Sequence, residues 1–355
     1  MLFRQFILIS FISLGSYGFS LRPAERVRSI TCSPFLVEVS KILWSFSKQQ
    51  RSWYSVPSEA MRFALFHKIR RPDRYLLGYT EDDLKKAGIQ FHYCSNSERL
   101  YKVFGADSIF ETDAEEGEEE TLTQVRVPPG FNGSGSSGSQ IKLIDSTNLL
   151  LIVSPYQLPH EEDHFLEYFK SPLEFSQWLI HELFHEYQAQ KSVWNHLTFE
   201  LEDRDLTECA QNQAWLSELE LEILSWQDLY LNYEKMTDQD LQEKTIRILD
   251  LREGSHFLTS CWKRVEFGEF FEGTAQYFSA SISKAAKQNF NAMALWPEGL
   301  SNRNRNIFKT GREMFYFTGL MICQTLTRLT KSLDWQKNME KGQYPAEVLR
   351  NLYVQ

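Results

Sequence analysis

A chain of 355 residues, 42% hydrophobic and 24% charged, has the length and apolar content to bury a large core as one big domain or two modest ones. Its formal net charge is −9, its sequence pI is about 5.5, and it contains no Lys/Arg-rich run. That balance argues against nucleic acid as a main partner, because binding phosphates needs clustered cations.

At the N-terminus, one cation (Arg4) precedes an apolar run from Phe6 to Leu14, followed by small residues and Pro23. This is the layout of a secretory signal peptide over residues 1–20, with cleavage after Gly18 or Ser20. The run is short for a membrane-spanning anchor, and no later segment approaches the length of a spanning helix. The expectation is therefore a soluble, exported protein, periplasmic or secreted, with no stable membrane insertion after cleavage. Export permits disulfides among Cys32, Cys94, Cys209, Cys261 and Cys323, and the odd count leaves one thiol over. The favoured bridges are Cys32–Cys94 and Cys209–Cys261, although order along the chain does not determine connectivity. No CxxC pair is present, so a structural zinc knuckle is not expected.

Residues 21–120 read as a mostly helical N-terminal region ending in an acidic loop. Phe35, Leu36, Val39, Ile42, Leu43 and Phe46 fall on one helical stripe, and Met61, Leu65, Phe66 and Ile69 suggest a second, ended by Pro72. Thr80 with Asp83 resembles a capping box opening a helix from Glu81 to Ala87. The acidic run Glu111 to Glu120 lacks calcium-loop spacing and reads as a solvated loop.

Residues 121–355 begin with strand-like pieces. Thr121 to Val127 alternates, Pro128-Pro129-Gly130 breaks it, and Gly133 to Ser139 is a flexible Gly/Ser loop. Ile141 to Val153 holds two further pieces, IKLI and NLLLIVS. A small antiparallel sheet is thus expected just before the next helix, where an edge strand could hold an extended peptide.

That next helix is Phe175 to Gln190, FSQWLIHELFHEYQAQ, with His181-Glu182-Leu183-Phe184-His185 inside it. Residues four apart share a helix face, so both imidazoles can reach one metal ion, with Glu182 placed to hold a water. Zinc suits such a pair because two imidazoles leave positions open for water and substrate. A second HExxH match, His160 to His164, carries Glu162 and Asp163 at its inner positions and directly follows Pro159. Charges there suit an exposed first turn rather than a buried metal helix, so this match reads as fortuitous.

Asp203 to Asp250 is the longest helical stretch, broken near Met236 to Gln242, with Trp215 and Trp226 as core residues. Downstream, Val265 to Ala280 reads VEFGEFFEGTAQYFSA. A glycine inside such a helix costs about 1 kcal/mol against alanine and calls for a reason such as close helix approach. Glu272 among Phe270, Phe271 and Phe278 is costly to bury unless a metal or an arginine, such as Arg252 or Arg264, satisfies it. The C-terminal part, with an apolar helix from Met314 to Leu329 containing Gly319, reads as covering structure.

HELFHEYQ followed by FEGTAQYF resembles the gluzincin branch of zinc metallopeptidases. The resemblance spans roughly residues 141–330 but is specific only at these two motifs. It implies an α+β, predominantly helical, zincin-like core and an enzyme that hydrolyses peptide bonds. His181 and His185 match the histidine ligands of Zn2+, Glu182 the general base and Glu272 the third ligand; Gly273, Ala275 and Tyr277 match that glutamate's companions. The departure is the long gap from His185 to Glu272. Glu208, in DLTECAQ, stands nearer the family's usual spacing and is the alternative third ligand. Tyr277 or His256 is the candidate oxyanion stabiliser. The favoured expectation is an exported zinc peptidase acting on a peptide or protein substrate; the runner-up is a non-catalytic exported zincin-like binding module.

Overall fold

In the computed structural model the described residues are 29–49, 53, 62–66, 74–86, 89–104, 125–126, 134–135, 150–153, 171–190, 206, 209, 211–253, 259–285 and 312–352. The signal-peptide reading, the acidic run, the second HExxH match, Glu208 and His256 lie outside them. Among the described residues the protein is α+β and predominantly helical, and no helix is long and apolar enough to cross a membrane.

The chain enters through β1 (Ser29–Ile30) and α1 (Pro34–Ser47). Pro34 sits in the first turn of α1, where its missing N–H costs nothing, and Leu36, Val39, Ile42, Leu43 and Phe46 are buried along the expected stripe. Leu65 and Phe66 of the second expected stripe lie in a strand instead, Met61 and Ile69 being outside the described residues: β2 (Arg62–Phe66) pairs antiparallel with β3 (Arg74–Leu77), Phe63 opposite Leu77. Helix α2 (Glu81–Lys86) follows, and the Thr80/Asp83 capping box is formed: Asp83 N–H donates to Thr80 Oγ1 at 3.1 Å and Thr80 N–H to Asp83 Oδ2 at 2.9 Å. Strands β4 (Gln90–Cys94) and β5 (Leu100–Phe104) complete a region that is richer in sheet than its sequence suggested.

The small antiparallel sheet expected after residue 121 takes a different form. Val125–Arg126 (β6) and Ser134–Gly135 (β7) make a two-stranded pair of their own. Leu150–Val153 (β8) joins the N-terminal strands, running parallel to β2. The result is a six-stranded mixed sheet in the order β1-β4-β5-β3-β2-β8, its outer pairs β1-β4 and β2-β8 parallel and the inner ones antiparallel. One disulfide, Cys32–Cys94, ties the start of α1 to β4.

The helical part begins with α3 (Pro172–Gln190), which carries the HExxH motif. Ser171 Oγ accepts from Glu174 N–H at 3.2 Å at its entry. Next come α4 (Gln213–Asn232), a 3-10 turn at Tyr233–Lys235, α5 (Asp238–Glu253) and α6 (Thr259–Gly268). A π-helical segment, Glu269–Gly273, runs straight on into α7 (Thr274–Ala280) and α8 (Ile282–Ala285). Helices α9 (Arg312–Thr330), α10 (Gln336–Met339) and α11 (Pro345–Asn351) close the chain. The second disulfide, Cys209–Cys261, joins the approach to α4 to α6, and Cys323 is the buried free thiol.

Beneath α3 lies an aromatic core drawn from the whole length of the chain. Phe184 meets Trp53 (ring centroids 4.8 Å) and Phe278 (5.0 Å), and Trp53 meets Trp335 (5.6 Å). Phe175, Leu179, Ile180, Leu183 and Phe184 are all fully buried, which gives α3 one solvent-free face. Each such side chain contributes about 1.5–3 kcal/mol, so the core sets the rotation of α3 firmly.

Candidate metal centre

His181 and His185, one turn apart on α3, point their Nε2 atoms at a common place. The two nitrogens are 2.9 Å apart. Glu272, from the π segment 87 residues beyond His185, brings Oε2 to 3.3 Å from His181 Nε2 and 3.0 Å from His185 Nε2. Glu272 is therefore the carboxylate that the structure joins to the motif, and both histidines are its partners.

Three Lewis-basic atoms at these separations need protons or a cation between them. Ligands about 2.0–2.1 Å from zinc at tetrahedral angles lie about 3.3–3.4 Å from one another. The observed triangle is that shape, contracted by a few tenths of an ångström. The donor set, two imidazoles and a carboxylate, is also one that zinc takes in catalytic sites. Without a cation, burial would raise the Glu272 carboxyl, but the His185 charge and hydrogen bonds from both histidines hold it far below the usual carboxylate range. Burial likewise works against a charged His185, yet the Glu272 carboxylate outweighs it and raises the imidazole; the nearby Glu182 adds to this. Glu182 itself is partly exposed, beside the cluster and outside it.

Rings wall the cluster. Phe271 stacks on His185 at 4.2 Å with planes 15° apart, Phe267 continues the stack at 6.2 Å, and Tyr316 of α9 meets His181 edge-on at 5.3 Å. Tyr277 is not brought to the site. Its hydroxyl is hydrogen-bonded to Thr327 at 2.8 Å and its ring packs against Trp335, so the oxyanion role expected for it has no geometric support. Tyr316 was missed because the apolar helix around it reads as cover, with no spacing to link it to α3.

Glu272 owes its position to the segment that bears it. Gly273 crosses Gly319 of α9 so closely that a Cβ on Gly273 would lie 2.4 Å from the Gly319 Cα. This close crossing is the reason for a glycine there. One turn earlier, Glu269 binds Arg252 of α5 through two contacts, 2.9 Å from Nη1 to Oε2 and 2.6 Å from Nη2 to Oε1. Arg252 Nε also donates to both oxygens of Glu222, at 3.0 and 2.9 Å, and Glu222 accepts from Trp226 Nε1 at 3.0 Å. Arg252, Glu222 and Glu269 are all buried. Burial would lower the Arg252 pKa, but the two carboxylates hold it well above its ordinary value. The burial of Glu222 follows from a partner 30 residues away that no local pattern reveals.

No protein-family model matches the chain, and comparison with curated proteins and with solved structures gave no match. The case for function rests on the residues themselves.

Proposed function

We propose that this protein is an exported zinc-dependent metallopeptidase with a zincin-like core. Zinc would be held by His181, His185 and Glu272. The observation that carries this reading is the convergence of three ligand atoms, all within 4.8 Å of one another, from a helix turn and a glutamate 87 residues away. A fortuitous HExxH has no reason to meet a buried carboxylate from a distant π segment, and π segments inside α-helices are frequent at functional sites.

When bound, the metal supplies a Lewis acid that acidifies water and polarises a carbonyl. The rest of the chemistry belongs to the chain. Glu182, on the turn between the two ligands and partly open to solvent, accepts the proton of the attacking water and delivers it to the leaving amine. His181 and His185 are locked by the rings around them and by the buried face of α3, so they need little reorganisation to present their nitrogens. Two disulfides fit folding in an oxidising compartment, which agrees with export.

The purified protein is expected to hold one zinc per chain, and Glu182→Gln to keep the metal while losing hydrolysis of a casein or mixed-peptide substrate. A correctly folded wild type that takes up no zinc would sink the proposal. A variant Glu182→Gln that cleaves as fast as wild type would remove Glu182 from the mechanism.

A further inference from the structure

Gln188, fully buried on α3, touches both halves of the cluster. Its amide nitrogen lies 2.9 Å from the Phe271 carbonyl oxygen and 2.9 Å from Thr274 Oγ1. The carbonyl can only accept. The Thr274 hydroxyl donates its proton to the Phe270 carbonyl at 2.6 Å, so toward Gln188 it accepts as well. Both neighbours require a donor, and the amide nitrogen supplies it. A flipped amide would set its oxygen against two acceptors. The Gln188 oxygen is thereby turned to His185 Nδ1, at 2.8 Å, and an amide oxygen only accepts.

We infer that Gln188 is a positioning residue that selects the tautomer of His185. The Gln188 oxygen keeps a proton on Nδ1, so Nε2 is the nitrogen left to the cluster with His181 Nε2 and Glu272 Oε2. The same side chain is a tether, since the Phe271 carbonyl belongs to the peptide bond that leads into Glu272. One amide thus orients a ligand on α3 and ties down the backbone of the ligand from the π segment. Outer partners of this kind typically change metal affinity 10–100-fold when removed. The affinity consequence rests on the zinc reading; the tautomer does not.

Two measurements on the full mature chain test this. In the chelator-stripped Glu272→Gln variant, which removes the carboxylate that competes for the imidazole proton, long-range nitrogen–proton NMR correlations for neutral His185, assigned with His185→Gln in the same background, are expected to show the Nδ1–H form. Finding the Nε2–H form overturns the inference whether or not zinc binds. In competition titrations with zinc alone, Gln188→Leu is expected to bind about 10–100-fold more weakly. Wild-type zinc affinity in a folded Gln188→Leu overturns it. A wild type with no zinc uptake defeats the metal reading separately, and the NMR result then still decides the tautomer.

Discussion

Replacing Gly273 by alanine sets two effects against each other. Alanine is a better helix former by about 0.8–1 kcal/mol, so on an open helix the change would stabilise. Here the new Cβ would sit 2.4 Å from Gly319 Cα, 2.9 Å from its carbonyl carbon and 3.1 Å from the Phe315 carbonyl oxygen. All three are backbone atoms, so no side chain can rotate aside. Ordinary contact begins near 3.4 Å, which means α9 and the π segment must separate by about 1 Å. Overpacking of this sort costs about 1–3 kcal/mol, and rigid backbone puts this case at the upper end. The net expectation is a loss of about 2 kcal/mol in urea unfolding of the metal-free protein. Because Glu272 is the adjacent residue, a shift of that size also exceeds the roughly 0.5 Å tolerance of a preorganised site, and zinc affinity should fall by about tenfold or more. A Gly273→Ala protein as stable as wild type, with unchanged zinc affinity, would refute the close-crossing argument.

Arg252→Met leaves Glu222 and Glu269 buried without their cation and should cost about 3–5 kcal/mol in the same unfolding assay. Adding Glu222→Gln and Glu269→Gln should recover much of it; additive losses across the three changes would show that the charges are not coupled. Burial pushes the phenols of Tyr233 and Tyr277 up to about 12. A folded value above the unfolded value of about 10 means a contribution to stability that is complete below pH 10 and disappears as pH rises toward 12. Phenolate absorbance should therefore show a late-titrating fraction that shrinks in Tyr277→Phe, while zinc uptake stays at the wild-type level; a single titration near pH 10 in the folded protein would contradict this.

How far the sequence could be read depended on whether the deciding partner was local. The stripe of α1, the Thr80/Asp83 cap, the core tryptophans Trp215 and Trp226 and the HExxH helix all depend on residues a few positions apart, and each is present as expected. Glu272 could be singled out because a carboxylate among phenylalanines demands a partner. The favoured bridges Cys32–Cys94 and Cys209–Cys261 are both formed. Sheet order was out of reach. Short runs such as Arg62–Phe66 satisfy helical and extended spacing alike, and only pairing with Arg74–Leu77 and Leu150–Val153 decides between them. Glu222–Arg252–Glu269 stayed hidden for the same reason, as did the approach of Tyr316 to His181.

The π segment has a consequence for how the site could be gained or lost. A π turn holds about one residue more than an α turn, and each helical residue turns the chain by about 100°. Deleting a single residue from Glu269–Gly273 would return the helix to ordinary phase and rotate one side of it by that angle against the other. Glu269 could then no longer face Arg252 while Glu272 faces His181 and His185. The proposed metal centre is, in this sense, a phase defect in an otherwise regular helix, one residue away from a fold of nearly the same shape that would not bring these three side chains together.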